Sequence, residues 1–166
     1  MRTLLCIVFL ALPSLATAHT QTVTRESFIT ALIQHESSGN DWAVGDKGLK
    51  YKAYGCLQIR QPCVDDVNKR LHTKYRAEDC LGNRKLSLLI FKTYMEIYAT
   101  ESRLGHLPTA EDMAKIWNGG PSGCFEGGAV NKNGDLPKKA STRQTVLVVQ
   151  KNARIYWVKI REILEA

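Results

Sequence analysis

Residues 33–40 read IQHESSGN, a stretch that closes an apolar helical pattern with a carboxylate. By the 3.6-residue repeat, Phe28, Ala31, Leu32 and Glu36 share roughly one stripe of a helix. The Glu36 carboxyl is therefore expected on the side of the core residues, beside a turn. Thr24 is placed to cap this helix, with Val23 and Phe28 as a hydrophobic staple, and Gly39 or Asn40 to supply a left-handed stop. A carboxyl held partly in apolar surroundings has its charged form disfavoured, so its pKa rises. Such a group keeps a proton near neutral pH and can donate it. A lone glutamate at a helix end is more often a solvated surface residue, so its neighbours must decide. His35, adjacent in the helix, is expected to face away from the core.

Outward from this stretch, DWAVGDKGLKYKAYGCLQI (residues 41–59) is rich in glycine and turn formers. It reads as a loop or small hairpin entering Cys56–Ile59 as a short extended segment. Pro62 fits the first turn of a helix over about 62–71, where Asp65 and Asp66 sit favourably near the positive end of the helix dipole. Leu86, Leu89, Ile90, Tyr94, Ile97 and Tyr98 form a helical stripe ending before Gly105. Thr109 and Asp112 open another helix, carrying Met113, Ile116 and Trp117 and stopping at Gly119-Gly120. Residues 121–141 read as loop. From about Thr142 the spacing of Val146, Val149, Ala153, Tyr156, Trp157, Ile160 and Leu164 predicts one long helix or two. There is no internal repeat.

The chain begins MRTLLCIVFLALPSLATAHT, with Arg2 as a short positive region, an apolar run over residues 4–15 and a small-x-small site at Ala16-Thr17-Ala18. This is the pattern of a secretory signal peptide over residues 1–18, too short and Pro-interrupted for a good membrane span. The remainder, 19–166, suits one domain with a real core. Arg2 is the leader's one charged residue, so the net charge of +7 becomes +6 after cleavage. A basic exported protein suits a polyanionic partner such as a bacterial wall. No basic run marks a nucleic-acid site, no stable membrane insertion is expected after cleavage, and a monomer is the default. Cys6 leaves with the leader. Cys56, Cys63, Cys80 and Cys124 remain, an even number in an export context, and predict two disulfides with three connectivities open. Cys56–Cys124 with Cys63–Cys80 is the pairing taken forward. Ligand spacing for zinc is lacking, and no metal or organic cofactor is implied.

Three motifs in order, Glu36-Ser37-Ser38-Gly39-Asn40, Tyr54-Gly55-Cys56-Leu57-Gln58-Ile59 and Trp117-Asn118-Gly119-Gly120-Pro121-Ser122-Gly123-Cys124, resemble the lysozyme superfamily. The likeness is to its lytic-transglycosylase-like and invertebrate-type lysozyme branches, with a looser match of Tyr156-Trp157-Val158-Lys159 to a bacterial ending. The resemblance implies an α+β, mostly helical, lysozyme-like fold with a small β region beside a cleft. It implies cleavage of peptidoglycan between N-acetylmuramic acid and N-acetylglucosamine, with Glu36 as general acid. It places Ser38, Tyr54, Gly55, Gln58, Trp117, Asn118 and Gly119 among the groups that bind the sugars. Tyr54 and Trp117 would stack on sugar faces or fill core. The second carboxylate separates mechanisms. Invertebrate-type lysozymes carry an Asp between the Glu and the G-x-x-Q-I segment, which points to Asp46, in Val44-Gly45-Asp46-Lys47-Gly48. Gly-Asp-Lys-Gly is also ordinary turn chemistry. Lytic transglycosylases need no second carboxylate, and a cationic wall binder without turnover would use the charge alone.

Overall fold

The structure is a computed structural model that describes residues 24–122 and 140–166. Among the described residues six α-helices surround one core: α1 (Arg25–Ser37), α2 (Gln61–Leu71), α3 (Arg84–Tyr98), α4 (Glu101–Leu104), α5 (Ala110–Gly119) and α6 (Ala140–Glu165). Between α1 and α2 lie two short antiparallel strands, β1 (Val44–Gly45) and β2 (Ala53–Tyr54), with Val44 opposite Tyr54 and Gly45 opposite Ala53. The fold is mostly helical with a small sheet. No described helix is long and apolar enough to cross a membrane.

Local chemistry sets the helix ends. Thr24 caps α1, its hydroxyl accepting from the Ser27 N–H at 3.1 Å. Asn83 caps α3 through the Leu86 N–H. Thr109 and Asp112 form a reciprocal capping box at α5. The stop of α1 differs from expectation by one residue. Ser38 takes the first left-handed position (φ 54°) and Gly39 the second (φ 83°). Their N–H groups close onto the Gln34 and Ile33 carbonyls, which would otherwise be left bare.

Phe28, Ala31 and Leu32 of α1 are buried, as the stripe requires, and Phe28 meets Phe91 of α3. Around them lie Leu57, Ile59, Val64, Val67, Ile90 and Ile116. α6 is a single helix that packs on α5 and α1, burying Ala153, Tyr156 and Ile160. Each large apolar side chain so enclosed contributes about 1.5–3 kcal/mol of transfer free energy.

The sequence over 56–59 does not run as an extended segment. Gly55 (φ 73°) and Gln58 (φ 51°) are both left-handed, which turns the chain back so that Tyr54 and Ile59 exchange backbone hydrogen bonds at 2.9 Å. Gly55 has no space for a side chain, because a Cβ there would press on the Cys80 carbonyl. The α4 turn also intervenes before Gly105.

The Cys63–Cys80 disulfide is not formed: Cys56, Cys63 and Cys80 are free thiols. Cys56 and Cys80 are wholly buried and pack as small apolar side chains, near the Ser87 hydroxyl, which donates to the Asn83 carbonyl at 3.1 Å. Burial pushes all three thiols up, that of Cys80 to about 11. Cys124, the signal-peptide segment and most of the 121–141 loop lie outside the described residues.

Candidate active site

The end of α1 faces a cavity of about 700 Å³, within the range of small-molecule sites. Glu36 lines it, together with Asp46, Tyr51, Gln58, Arg60, Tyr94, Trp117 and Asn118. Glu36 is half-buried as a residue, but its carboxyl end is enclosed. Desolvation raises its pKa above the ordinary glutamate value. Three groups oppose that rise. The Tyr156 hydroxyl donates to Glu36 Oε1 at 2.6 Å, the Trp117 indole N–H is turned to the same carboxyl, and Arg60 adds positive charge. Asp46 adds to the rise by like-charge repulsion. The balance leaves a carboxyl that holds its proton to higher pH while surrounded by donors that stabilise its ionised form. A group in that condition can give a proton away and take it back.

Glu36 is tied in place from both sides. Its neighbour Ser37 donates to the Ile33 carbonyl of its own helix (3.2 Å) and to the Cys56 carbonyl of the β2 turn (2.9 Å). That bond fixes the helix end against the segment carrying Gln58. The Gln58 amide donates to the Gly55 carbonyl (3.0 Å) and the Ala43 carbonyl (3.4 Å). Gly45 leaves the Gln58 amide its place, since a Cβ at residue 45 would push that amide oxygen aside.

Asp46 is a turn residue and a cleft residue together. Its φ is 52° and its carbonyl accepts from the Leu49 N–H at 2.9 Å. Its carboxylate is ion-paired with the Arg60 guanidinium, and both line the cavity with Glu36. Trp117 likewise serves core and cleft, its ring edge-on to Phe91 (centroids 5.0 Å apart) and Tyr94 (6.0 Å). Asn118 is exposed on the cavity rim.

The remaining sites named from sequence are not brought into this cavity. Ser38 is the exposed cap of α1. Tyr54 lines a neighbouring cavity, its hydroxyl donating to Glu78 at 3.1 Å. Gly55 is buried against Cys80. Gly119 ends α5, and the following Gly120 (φ 71°) lines the cavity in its place. His35 does not face away: it is half-buried with its ring edge-on to Tyr156, 4.9 Å between centroids. Burial and Lys159 lower its pKa. Asp66 accepts from the Tyr98 hydroxyl at 2.8 Å, a tertiary bond beyond its helix-dipole placement.

Sequence reasoning missed Tyr156 and Arg60. Tyr156 sits in the Tyr-Trp-x-Lys tail, but on a helix stripe it reads as core, and its partner is 120 residues away. Arg60 follows the Gln58-Ile59 motif by one residue and carries no signal of its own.

The sequence pattern of the transglycosylase SLT domain matches residues 14–120, well over half of the chain. The chain belongs to the transglycosylase SLT domain family. Family membership assigns this SLT domain a peptidoglycan-cleaving, lytic transglycosylase- or lysozyme-like activity, with peptidoglycan as the fitting substrate. The fold is similar to a chain in the crystal structure of Aeromonas hydrophila PliI in complex with Meretrix lusoria lysozyme. That likeness has a TM-score of 0.50 and 22% identity, over 78% of this chain and 89% of the other. Comparison with curated proteins gave no match. The match starts before α1 and ends at Gly120, so Tyr156 and the rest of α6 fall beyond it.

Proposed function

We propose that this SLT domain is a muramidase that hydrolyses the β-1,4 bond between N-acetylmuramic acid and N-acetylglucosamine, with Glu36 as the acid. The observation that carries the reading is the enclosed Glu36 carboxyl, raised in pKa, in one cavity with the Asp46 carboxylate. Glu36 protonates the glycosidic oxygen as the bond breaks. Tyr156 engages Oε1, and in this reading Oε2 carries the proton that is given up. As the carboxylate forms, the Tyr156 O–H and the Trp117 N–H stabilise its charge, so proton transfer does not leave a bare anion in an apolar pocket. Asp46 supplies negative charge to the developing oxocarbenium ion, and its ion pair with Arg60 keeps it in place. Gln58, Trp117 and Asn118 bind the sugars. After bond cleavage, ionised Glu36 serves as base toward water.

A second reading, a lytic transglycosylase, has its own support in the same Arg60–Asp46 pair, which occupies the second carboxylate. In that case the muramic C6 hydroxyl attacks, Glu36 takes its proton, and Asp46 has a turn role only. Mass spectrometry of the sugar products from purified peptidoglycan separates them. Hydrated muramic ends support hydrolysis. Anhydro ends, one water lighter, overturn it in favour of the transglycosylase. We place the working protein outside the cytoplasm as a monomer, after removal of residues 1–18. N-terminal sequencing of the exported chain is expected to begin at His19.

A further inference from the structure

A second cavity of about 330 Å³ adjoins the catalytic cleft and shares Lys50 and Tyr51 with it. Past that shared rim its walls carry Lys52, Tyr54, Arg76 and Glu78. The acidic group is already engaged: Glu78 accepts from the Tyr54 hydroxyl and pairs with Arg76. The Gln61 amide at its edge is also committed, to Asp65 and to the Ala77 N–H. Lys50 and Lys52 are exposed and have no carboxylate partner among the described residues. Lys50 Nζ instead lies over the Tyr51 ring, 5.0 Å from its centroid. Three cations against one carboxylate leave this annex positive, and the acid that could discharge the lysines is taken.

Where its lactyl groups are amide-linked to peptide, a β-1,4 amino-sugar backbone is uncharged and gains nothing from such an annex. The charge of this substrate lies on the peptide stem attached to the muramic lactyl group, in its free carboxylates. A stem leaving the glycan in the main cleft would pass over Tyr51 to reach the lysines. We propose that the second cavity is a subsite for the carboxylates of the peptide stem, held by Lys50 and Lys52. This rests on the peptidoglycan-cleaving reading of the main cleft.

The test is titration calorimetry with a muramyl disaccharide tetrapeptide and with the same compound after amidation of its carboxylates. Each is added to the full chain and to Lys52→Glu, and peptide-stripped glycan is digested in parallel by the unaltered chain. Lys52 is exposed, so the substitution does not disturb the core. The unaltered chain is expected to bind the free-carboxylate form about five- to tenfold more tightly than the amidated form. Lys52→Glu is expected to erase that preference, and raised salt to shrink it. Equal affinity for the two forms, or a preference that survives both Lys52→Glu and Lys50→Gln, overturns the subsite. So does binding of poly(glycerol phosphate) without binding of the tetrapeptide. Cleavage of stripped glycan without a carboxylate preference removes the subsite and leaves the cleft reading standing. A carboxylate preference lost in Lys52→Glu, with no cleavage of any glycan, supports the subsite and removes the cleft reading.

Discussion

The two walls of the cleft are built in opposite ways. The helical wall, from α1 and α5, presents Glu36 and Trp117, both partly buried, with the buried Tyr156 of α6 hydrogen-bonded to the acid. The hairpin wall, from residue 46 to residue 60, presents Asp46, Lys50, Tyr51 and Arg60 from around strands of two residues each. Its charges are exposed or half-exposed, with Arg60 and Asp46 at 51% and 32%. Burial shifts proton affinity strongly, whereas solvent screens an exposed ion pair. The helical wall therefore sets the chemistry of the acid, and the hairpin wall sets what lies against it.

Breaking the helical wall is expected to give the largest effects. Glu36→Gln removes the transferable proton, and turnover of peptidoglycan is expected to fall about 10²–10⁴-fold. Binding to insoluble wall material, measured by sedimentation, should stay within about twofold, since the substitution touches none of the surface lysines or arginines that carry binding to an anionic wall. Lysis that survives Glu36→Gln would make charge, not catalysis, the agent. The same variant reads the linkage between proton and fold. Because the Glu36 pKa is raised in the folded chain, its contribution to stability is complete below the unfolded value, near 4.5, and is lost as pH rises through the raised value. Chemical denaturation across that window should show a decline for the unaltered chain and a flatter profile for Glu36→Gln.

Leu32→Ala, one turn before the acid and fully buried, is expected to cost about 2–5 kcal/mol in unfolding free energy. Urea titration measures it. Tyr156→Phe keeps the packing and removes one bond, costing about 1 kcal/mol of stability and about tenfold in turnover. Its sharper signature is the pH profile. The lost hydrogen bond favoured the ionised carboxyl, so the Glu36 pKa should rise further and the alkaline limb of kcat/KM should move to higher pH. A limb that moves down would mean the hydroxyl serves another group.

On the hairpin wall, Arg60→Gln is expected to change stability by less than about 1 kcal/mol. It should move the same alkaline limb upward, by less than Tyr156→Phe does, because Arg60 lowers the Glu36 pKa more weakly than the tyrosine. An effect of Arg60→Gln larger than that of Tyr156→Phe would erase the distinction between the walls.

How much of this was legible in the residues follows the range of the forces involved. The caps at Thr24 and Thr109, the stripe of α1 and the stop at Gly119-Gly120 are local, and the sequence carries them. The stripe puts Glu36 on the side of the core residues, and the motifs around it, not the stripe alone, single it out as an acid. The turn after β2 was misread as extended, because its second left-handed residue is Gln58 and not a glycine. Gly55 and Gly45 were signals of close approach, but to the Cys80 carbonyl and the Gln58 amide, partners no spacing reveals. Cysteine parity suggested bridges where Cys63 and Cys80 remain thiols. Tyr156 was hidden for a different reason: a buried tyrosine on a helix stripe looks the same whether its hydroxyl meets an acid or nothing.

That tyrosine also dates the assembly of the site. A ribosome that has made the chain as far as the end of α5 has already synthesised Glu36, both strands, Gln58 and Trp117. It has not yet made α6, which carries Tyr156 onto the acid and encloses it. Until that helix docks, the Glu36 carboxyl stands in water and titrates toward an ordinary glutamate. The acid acquires its raised proton affinity only when α6 is in place, so a chain that lacks this helix carries the residues of the proposed site without its enclosed carboxyl.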